Sequence, residues 1–224
     1  MASDSPRDER LMVRLLVIRH GNSVTNAERR YTGQLDAPLS ELGEQQALQL
    51  ADYLVANEPL DAIYASDLSR AVRTIEPTAT RMGLPIRLTP ALRETDVGEW
   101  TGRTYEDIKQ NYPDLFLSRK DDPSCPYPGG ESDLSVFERV RAVLDEILQA
   151  HEGERIALVT HAFPARIIET LSDGQGAYEV RRHRVAPNAS LRIYTYENGK
   201  LTSTGPNIVS YMETDGVKLP TELV

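Results

Sequence analysis

The sequence predicts an α/β protein, a three-layer α/β/α sandwich with a mainly parallel central sheet. Three observations carry that prediction. The runs at 13–18, 61–66 and 155–160 are short and almost unbroken in their apolar character, as strands buried on both faces are. They alternate with segments whose apolar residues recur at helical spacing. Strands and helices alternating in this way make crossover units, which lay helices on the faces of a shared parallel sheet.

The elements follow in order. The first strand, 13–18, runs into Arg19-His20-Gly21. A helix is predicted over 40–57, because Ser40 suits an N-cap, Glu41 and Glu44 favour the first turn, and Ala47, Leu50, Ala51 and Leu54 share one face. The strand 61–66 comes next. A second helix covers 67–83, with Asp67 near its start and Gly83 near its end. Pro77, lacking an N–H and crowding the preceding turn, should kink or restart it. Residues 86–88 allow a short strand. From Arg93 to about Ser132 the pattern is irregular, and 95–132 reads as a small insertion over the sheet edge where a ligand would sit. A long helix over 133–150 shows the stripe Phe137, Val140, Leu144, Ile147 and Leu148. The strand 155–160 and a helical segment, 164–171, follow. The alternating end of the chain holds Asn198-Gly199, the dipeptide of a two-residue hairpin. Residues 1–10 are expected to be disordered, and 11–224 to form one domain.

Composition narrows the classes of function. Of 224 residues, 40% are hydrophobic and 26% charged, the balance of a soluble globular chain. The net charge of −9 repels nucleic acid and anionic membrane surfaces, so neither is expected as a partner. Cys125 is the single cysteine, excludes an internal disulfide, and reads as a bystander in a Pro-rich loop. The charged beginning of the chain carries no apolar core of a signal peptide, and no apolar run approaches a membrane span. The expected location is the cytoplasm.

A buried strand that ends in a cation beside an imidazole, followed by a residue with no side chain, calls for an explanation, since neither group belongs in a core. In parallel sheets ligands bind beyond the carboxyl ends of the strands. Thr160-His161-Ala162 stands at the same end of another strand, and Arg70 lies in the first turn after a third. Arg19, Arg70, His20 and His161, with small residues nearby, suit a tetrahedral dianion. A guanidinium grips phosphate through a planar fork, and helix N-termini offer N–H donors. A histidine can attack phosphorus. A leaving alkoxide needs a proton from a nearby acid. Two arginines supply the neutralising charge, so no metal or other cofactor is required. No His-x-x-x-His or Cys-rich metal spacing occurs.

Other groups have plainer readings. Arg73 and Arg81 suit surface charges. His151 can meet a helix C-terminus, and His183, inside RRHR, reads as part of a solvated face, the alternative being a basic patch that attracts phosphorylated substrate. Glu99 competes with Glu94 as an acid but reads as solvated or paired with arginine. Trp100 could line the cleft or anchor a core.

LVIRHGNSVTN resembles the Arg-His-Gly signature of the histidine phosphatase superfamily, the phosphoglycerate mutase-like proteins. The resemblance continues through YTGQLDAPLSELGEQQALQLADYL, IYASDLSRAVRT, LRETDVGEWTG, PGGES, VTHAFPARII and PNASL, in the family's order and across about 13–210. It implies that His20 becomes phosphorylated, that Arg19, Arg70 and His161 hold the phosphoryl group, and that Glu94 is the general acid and then the base. It implies substrate contacts at Asn26, Thr32 and Gly33, with Ser23 and Ala162 as further donors. It implies a phosphomonoesterase of the phosphatase branch acting on a small phosphorylated metabolite. A phosphoglycerate mutase and a non-catalytic phospho-ligand sensor on the same fold are the alternatives. Homodimers occur in the superfamily. Asn22 departs from the family's usual Glu or Gln and is expected to alter leaving-group specificity at the pocket mouth. Ala162-Phe163, where Gly is common, is expected to narrow the pocket. Arg103, Tyr105, Phe116, Arg119, Lys120 and Tyr127 are the insertion's candidate substrate selectors.

Overall fold

The computed structural model describes residues 12–27 and 30–212. The segment 1–10, expected to be disordered, lies outside the described residues.

The strands β1 (Val13–Arg19), β2 (Ala62–Ala65), β3 (Ile86–Leu88), β4 (Arg155–Thr160), β5 (Leu191–Glu197) and β6 (Lys200–Ser203) form one sheet in the order β3-β2-β4-β1-β5-β6. The first four in that order run parallel, while β5 is antiparallel to β1 and β6 to β5. The helices are α1 (Val24–Ala27), α2 (Glu41–Asn57), α3 (Ser69–Met82), α4 (Tyr105–Asn111), α5 (Pro113–Asp121), α6 (Asp133–Ala150) and α7 (Ala162–Ser172).

Alternation along β1 separates the two cores, because successive side chains point to opposite faces. Leu16 and Ile18 pack with Leu50 and Leu54 of α2 and Ile75 of α3. Leu15 and Val17 pack with Val140 and Leu144 of α6 and Ile167 and Ile168 of α7. The predicted three layers are therefore present. Leu16, Leu50 and Leu54 are wholly buried, and truncating any of them to Ala would cost about 2–5 kcal/mol.

The expected caps hold in part. Ser40 Oγ accepts from Gly43 N at 3.2 Å, and Ser132 and Ser135 form a capping box at the start of α6. Asp67 does not cap α3. Its carboxylate takes a forked bond from Arg93 (2.7 and 2.5 Å), and Ser69 N instead donates to Asp36 at 2.7 Å. Pro77 does not restart α3, which runs through it from Ser69 to Met82. The N–H that proline lacks would have gone to the Arg73 carbonyl, on the exposed side of the helix where water can take it. Asn198 (φ 51°) and Gly199 (φ 76°) form the β5–β6 turn with two left-handed residues, as a type I′ hairpin requires.

The insertion is more regular than its sequence suggests. It contains α4, capped by Thr104 Oγ accepting from Asp107 N (3.1 Å), and α5, which starts at Pro113. Its own apolar cluster joins Val97, Trp100, Ile108, Phe116 and Tyr127. Trp100 is the buried anchor of that cluster and does not line the cleft. Among the described residues no helix is long and apolar enough to cross a membrane.

Candidate active site

The site follows from the strand order. β1 and β4 are parallel neighbours and end together, Arg19 opposite Thr160. The chain leaves β1 towards α2 on one face of the sheet and leaves β4 into α7 on the other, which opens a crevice between their ends. His20 and His161 are therefore adjacent, with ring centroids 5.0 Å apart. β2 ends beside β4, placing Ser66 Oγ 2.8 Å from His161 Nε2. Arg70, in the first turn of α3, reaches the same point, its Nε donating to His161 Nδ1 at 3.2 Å.

The hydrogen bonds assign the imidazole tautomers. His20 Nδ1 lies 2.7 Å from the Gly21 carbonyl, which can only accept, so Nδ1 carries the proton and Nε2 keeps its lone pair. The Arg70 Nε can only donate, so His161 Nδ1 is unprotonated and its Nε2–H donates to Ser66. Both rings titrate well below the usual histidine range. Burial is the main cause for each, followed for His20 by Arg70 and Arg19, and for His161 by His20, Arg70 and Arg19. Burial also lowers Arg19 to about 10, with Glu94 opposing the shift and Arg70 adding to it. The group remains a cation at neutral pH. Arg70 is held by the carbonyls of Leu35 (2.7 Å) and Gly33 (2.9 Å), and Arg19 by that of Ala186 (2.5 Å).

The glycine after His20 answers to packing. A Cβ on Gly21 would lie 2.9 Å from the Gly43 carbonyl oxygen, and one on Gly43 would lie 2.0 Å from that of Asn22. The loop thus seats directly on the start of α2. Gly21 N donates to Thr74 Oγ1 (2.9 Å), and the Asn188 amide donates to the carbonyls of His20 (3.1 Å) and Gly21 (3.3 Å). Asn22, expected at the pocket mouth, belongs to this packing instead. Its side-chain oxygen accepts from Ser40 Oγ (2.8 Å), its N–H goes to Gln46 (2.8 Å), and it does not line the cleft. The departure from the family pattern at this position therefore changes a helix-start contact rather than a substrate contact.

A cleft of about 260 Å³ opens over these groups. It is lined by Arg19, His20, Arg70 and Glu94, and by Ser23, Asn26, Thr32, Gly33 and Ala162. His161 lies behind this lining, wholly buried. The Asn26 side-chain oxygen accepts from Ser23 N (3.2 Å), Ser23 Oγ (2.9 Å) and Asn188 (3.3 Å), so its NH₂ is the end not tied to the loop. Gly33 has φ 52°, and a Cβ there would meet the Val97 side chain at 2.7 Å.

Glu94 is fixed from both ends. Its carboxylate accepts from Thr95 N (2.9 Å) and Phe163 N (3.4 Å). Its carbonyl accepts from Arg139 (3.0 Å) and Gln34 (3.2 Å). Arg139 also holds the carbonyls of Ala91 and Arg93, each at 2.8 Å, and pairs through two bonds with Glu131. Neither Arg139 nor Asn188 was singled out from sequence. Asn188 and Glu131 sit inside the motifs PNASL and PGGES, and that position is the only signal either residue gave.

Of the insertion's candidate selectors whose side chains are described, only Tyr127 lines the cleft. Arg103 bonds Asp107, Tyr105 and Phe116 pack together, and Arg119 is buried on Asp133. The Lys120 side chain lies outside the described residues. The remaining wall comes from Arg30, Tyr31, Thr95, Val97, Asp133, Phe163, Arg166, Arg181 and Val185. His151 is structural, bonded to Tyr64 (2.9 Å) and Glu154 (2.5 Å), and His183 lies against Glu169. Glu99 is exposed, Arg73 pairs with Glu44 and Glu76, and Arg81 pairs with Asp52.

Comparison with known proteins agrees with this geometry. The chain is 36% identical over 156 residues, 69% of its length and 74% of the other, to phosphoserine phosphatase 1 of Hydrogenobacter thermophilus. It is 31% identical over 207 residues to phosphoglycerate mutase-like protein 4 of Arabidopsis thaliana, covering 90% of this chain and 88% of that one. Among solved structures, a mycobacterial glucosyl-3-phosphoglycerate phosphatase in complex with VO3 superimposes with a TM-score of 0.79 at 29% identity, over 87% of this chain and 98% of that one. The family model for the histidine phosphatase superfamily (branch 1) matches residues 15–209, and the chain belongs to that superfamily.

Proposed function

We propose that the chain hydrolyses a phosphomonoester of a small metabolite in two steps through a phosphohistidine at His20. The observation that carries this reading is the tautomer of His20: its only proton is committed to the Gly21 carbonyl, so the Nε2 lone pair is free in a cleft lined by Arg19 and Arg70. In the first step Nε2 attacks phosphorus, the P–O ester bond breaks, and protonated Glu94 gives its proton to the leaving oxygen. In the second, the Glu94 carboxylate takes a proton from water. The water oxygen attacks phosphorus, and the P–N bond breaks to restore His20. Arg19 and Arg70 stabilise charge on the equatorial oxygens, with N–H groups at the start of α7 at Ala162, whereas His161, expected to hold the phosphoryl group, acts from behind the cleft wall by accepting from Arg70 Nε. Asn26, Ser23, Thr32 and Gly33 shape the loop over the ester.

The names of the relatives, a phosphoserine phosphatase and a glucosyl-3-phosphoglycerate phosphatase, support a small phosphorylated metabolite as substrate. The net charge of −9 disfavours nucleic acid and anionic membranes as partners, and the cytoplasm is the proposed location. Turnover of p-nitrophenyl phosphate tests the reading. Wild type should be active, His20→Ala inactive while folded, and Glu94→Gln slower by about 10²–10⁴-fold on an alkyl phosphate, whose leaving group needs the proton. Equal activity of wild type and His20→Ala would refute it. Isomerisation of phosphoglycerate faster than its hydrolysis would instead indicate a mutase.

A further inference from the structure

The cleft carries more positive charge than a phosphoryl group uses. Beyond Arg19 and Arg70 it is lined by Arg166 and Arg181. The two differ in how they are held. Arg181 is forked onto the buried Asp133 (2.6 and 3.1 Å), which also takes Arg119 at 2.8 Å. Arg166 has no carboxylate in ion-pair range among the described residues. It makes one bond, from Nη2 to the Arg181 carbonyl at 3.0 Å, and its Nε is buried with no partner. Burial, the largest cause, and the neighbouring Arg181 disfavour its charge, while Glu94, Asp133 and Glu169, none of them within ion-pair distance, partly oppose them. A desolvated, unpaired guanidinium in a cleft wall is costly unless an anion comes to it.

Position adds a length. α7 begins at Ala162 beside the phosphoryl site, and Arg166 is four residues on, about 6 Å along the helix. Helical side chains lean towards the N-terminus, which brings the guanidinium back towards the cleft. We propose that Arg166, with Arg181 beside it, binds a second anionic group of the substrate, a carboxylate or a second phosphate, a few bonds from the ester being hydrolysed. This rests on the phosphomonoesterase reading above and names its substrate class, a phosphomonoester that is anionic at two places.

The test is made by binding, so that it does not depend on turnover. Calorimetry on the His20→Ala protein compares two matched pairs: 3-phosphoglycerate against glycerol 3-phosphate, and propane-1,3-diol bisphosphate against 3-hydroxypropyl phosphate. The member with the second anion should bind about 10–100-fold tighter in at least one pair, as charge-assisted hydrogen bonds are worth. The pair that shows the preference identifies the group. Adding Arg166→Gln should bring that ratio towards one, and Arg166→Lys should keep part of it, which a merely misfolded protein would not do. Equal affinity within both pairs, or a preference unchanged by Arg166→Gln, would overturn the proposal. Failure of the phosphatase reading would show separately, as absence of wild-type turnover.

Discussion

Two imidazoles and two guanidiniums are buried within one crevice, and the two imidazoles are both neutral. That neutrality is what the nucleophilic role proposed for His20 requires, and it has a cost in acid. In the unfolded chain each histidine takes a proton near pH 6.5, whereas burial first, and then the neighbouring positive groups, keep both rings unprotonated in the folded protein well below that. Below about 6.5 the unfolded chain therefore binds more protons than the folded one. Stability should fall as pH drops, with each ring contributing a slope of about 1.4 kcal/mol per pH unit until it protonates in the fold. Urea midpoints between pH 7.5 and 5 measure this. His161→Gln, which keeps an amide for Arg70 and Ser66, should flatten the slope, and inorganic phosphate should also lessen it by favouring imidazolium. At this scale Arg19, His20, Arg70 and His161 were legible because each stands at the end of a strand or shortly after one. Asn22 was not, because a one-residue offset in a loop decides whether a side chain faces the ligand or the helix behind it.

The elements hold these residues through contacts that sequence hardly announces. α6 reads as an amphipathic helix with a polar outer face, yet Arg139 on that helix clamps three carbonyls around Glu94 and pairs with Glu131. Arg139→Met should lower kcat on an alkyl phosphate more than it raises KM, with a stability loss of about 1–3 kcal/mol from the polar groups left unpaired. Steady-state kinetics and thermal unfolding separate the two effects, and Arg139→Lys should recover part of the rate. The start of α2 offers a second case. Gly43→Ala must push a methyl into the Asn22 carbonyl, and an overpacking cost of about 1–3 kcal/mol is expected, read as a lower Tm. The helices α2 and α6 and the β5–β6 hairpin were visible because apolar period, caps and Asn198-Gly199 agree. α4 and α5 were not, since their few apolar residues, Ile108 and Phe116 among them, face the insertion's own cluster around Trp100 rather than the main core.

At the scale of the molecule, strand order brings the chemistry together. Four parallel strands with helices departing to opposite faces put two strand ends, and with them His20 and His161, at one crevice. That much follows from alternating strands and helices. The outer wall of the cleft does not, because residues near 30, 95, 127, 166 and 181 meet only in the folded chain. The central claim is that this topology turns His20 into a phosphoryl acceptor. Mixing Glu94→Gln protein with radiolabelled p-nitrophenyl phosphate tests it most directly. The leaving group there needs little acid, whereas the second step still lacks its base. After a quench in base and digestion, the label should lie on the peptide that contains His20 and be missing from His20→Ala. A label on any other side chain, or a burst of nitrophenolate with His20 unlabelled, would contradict the account.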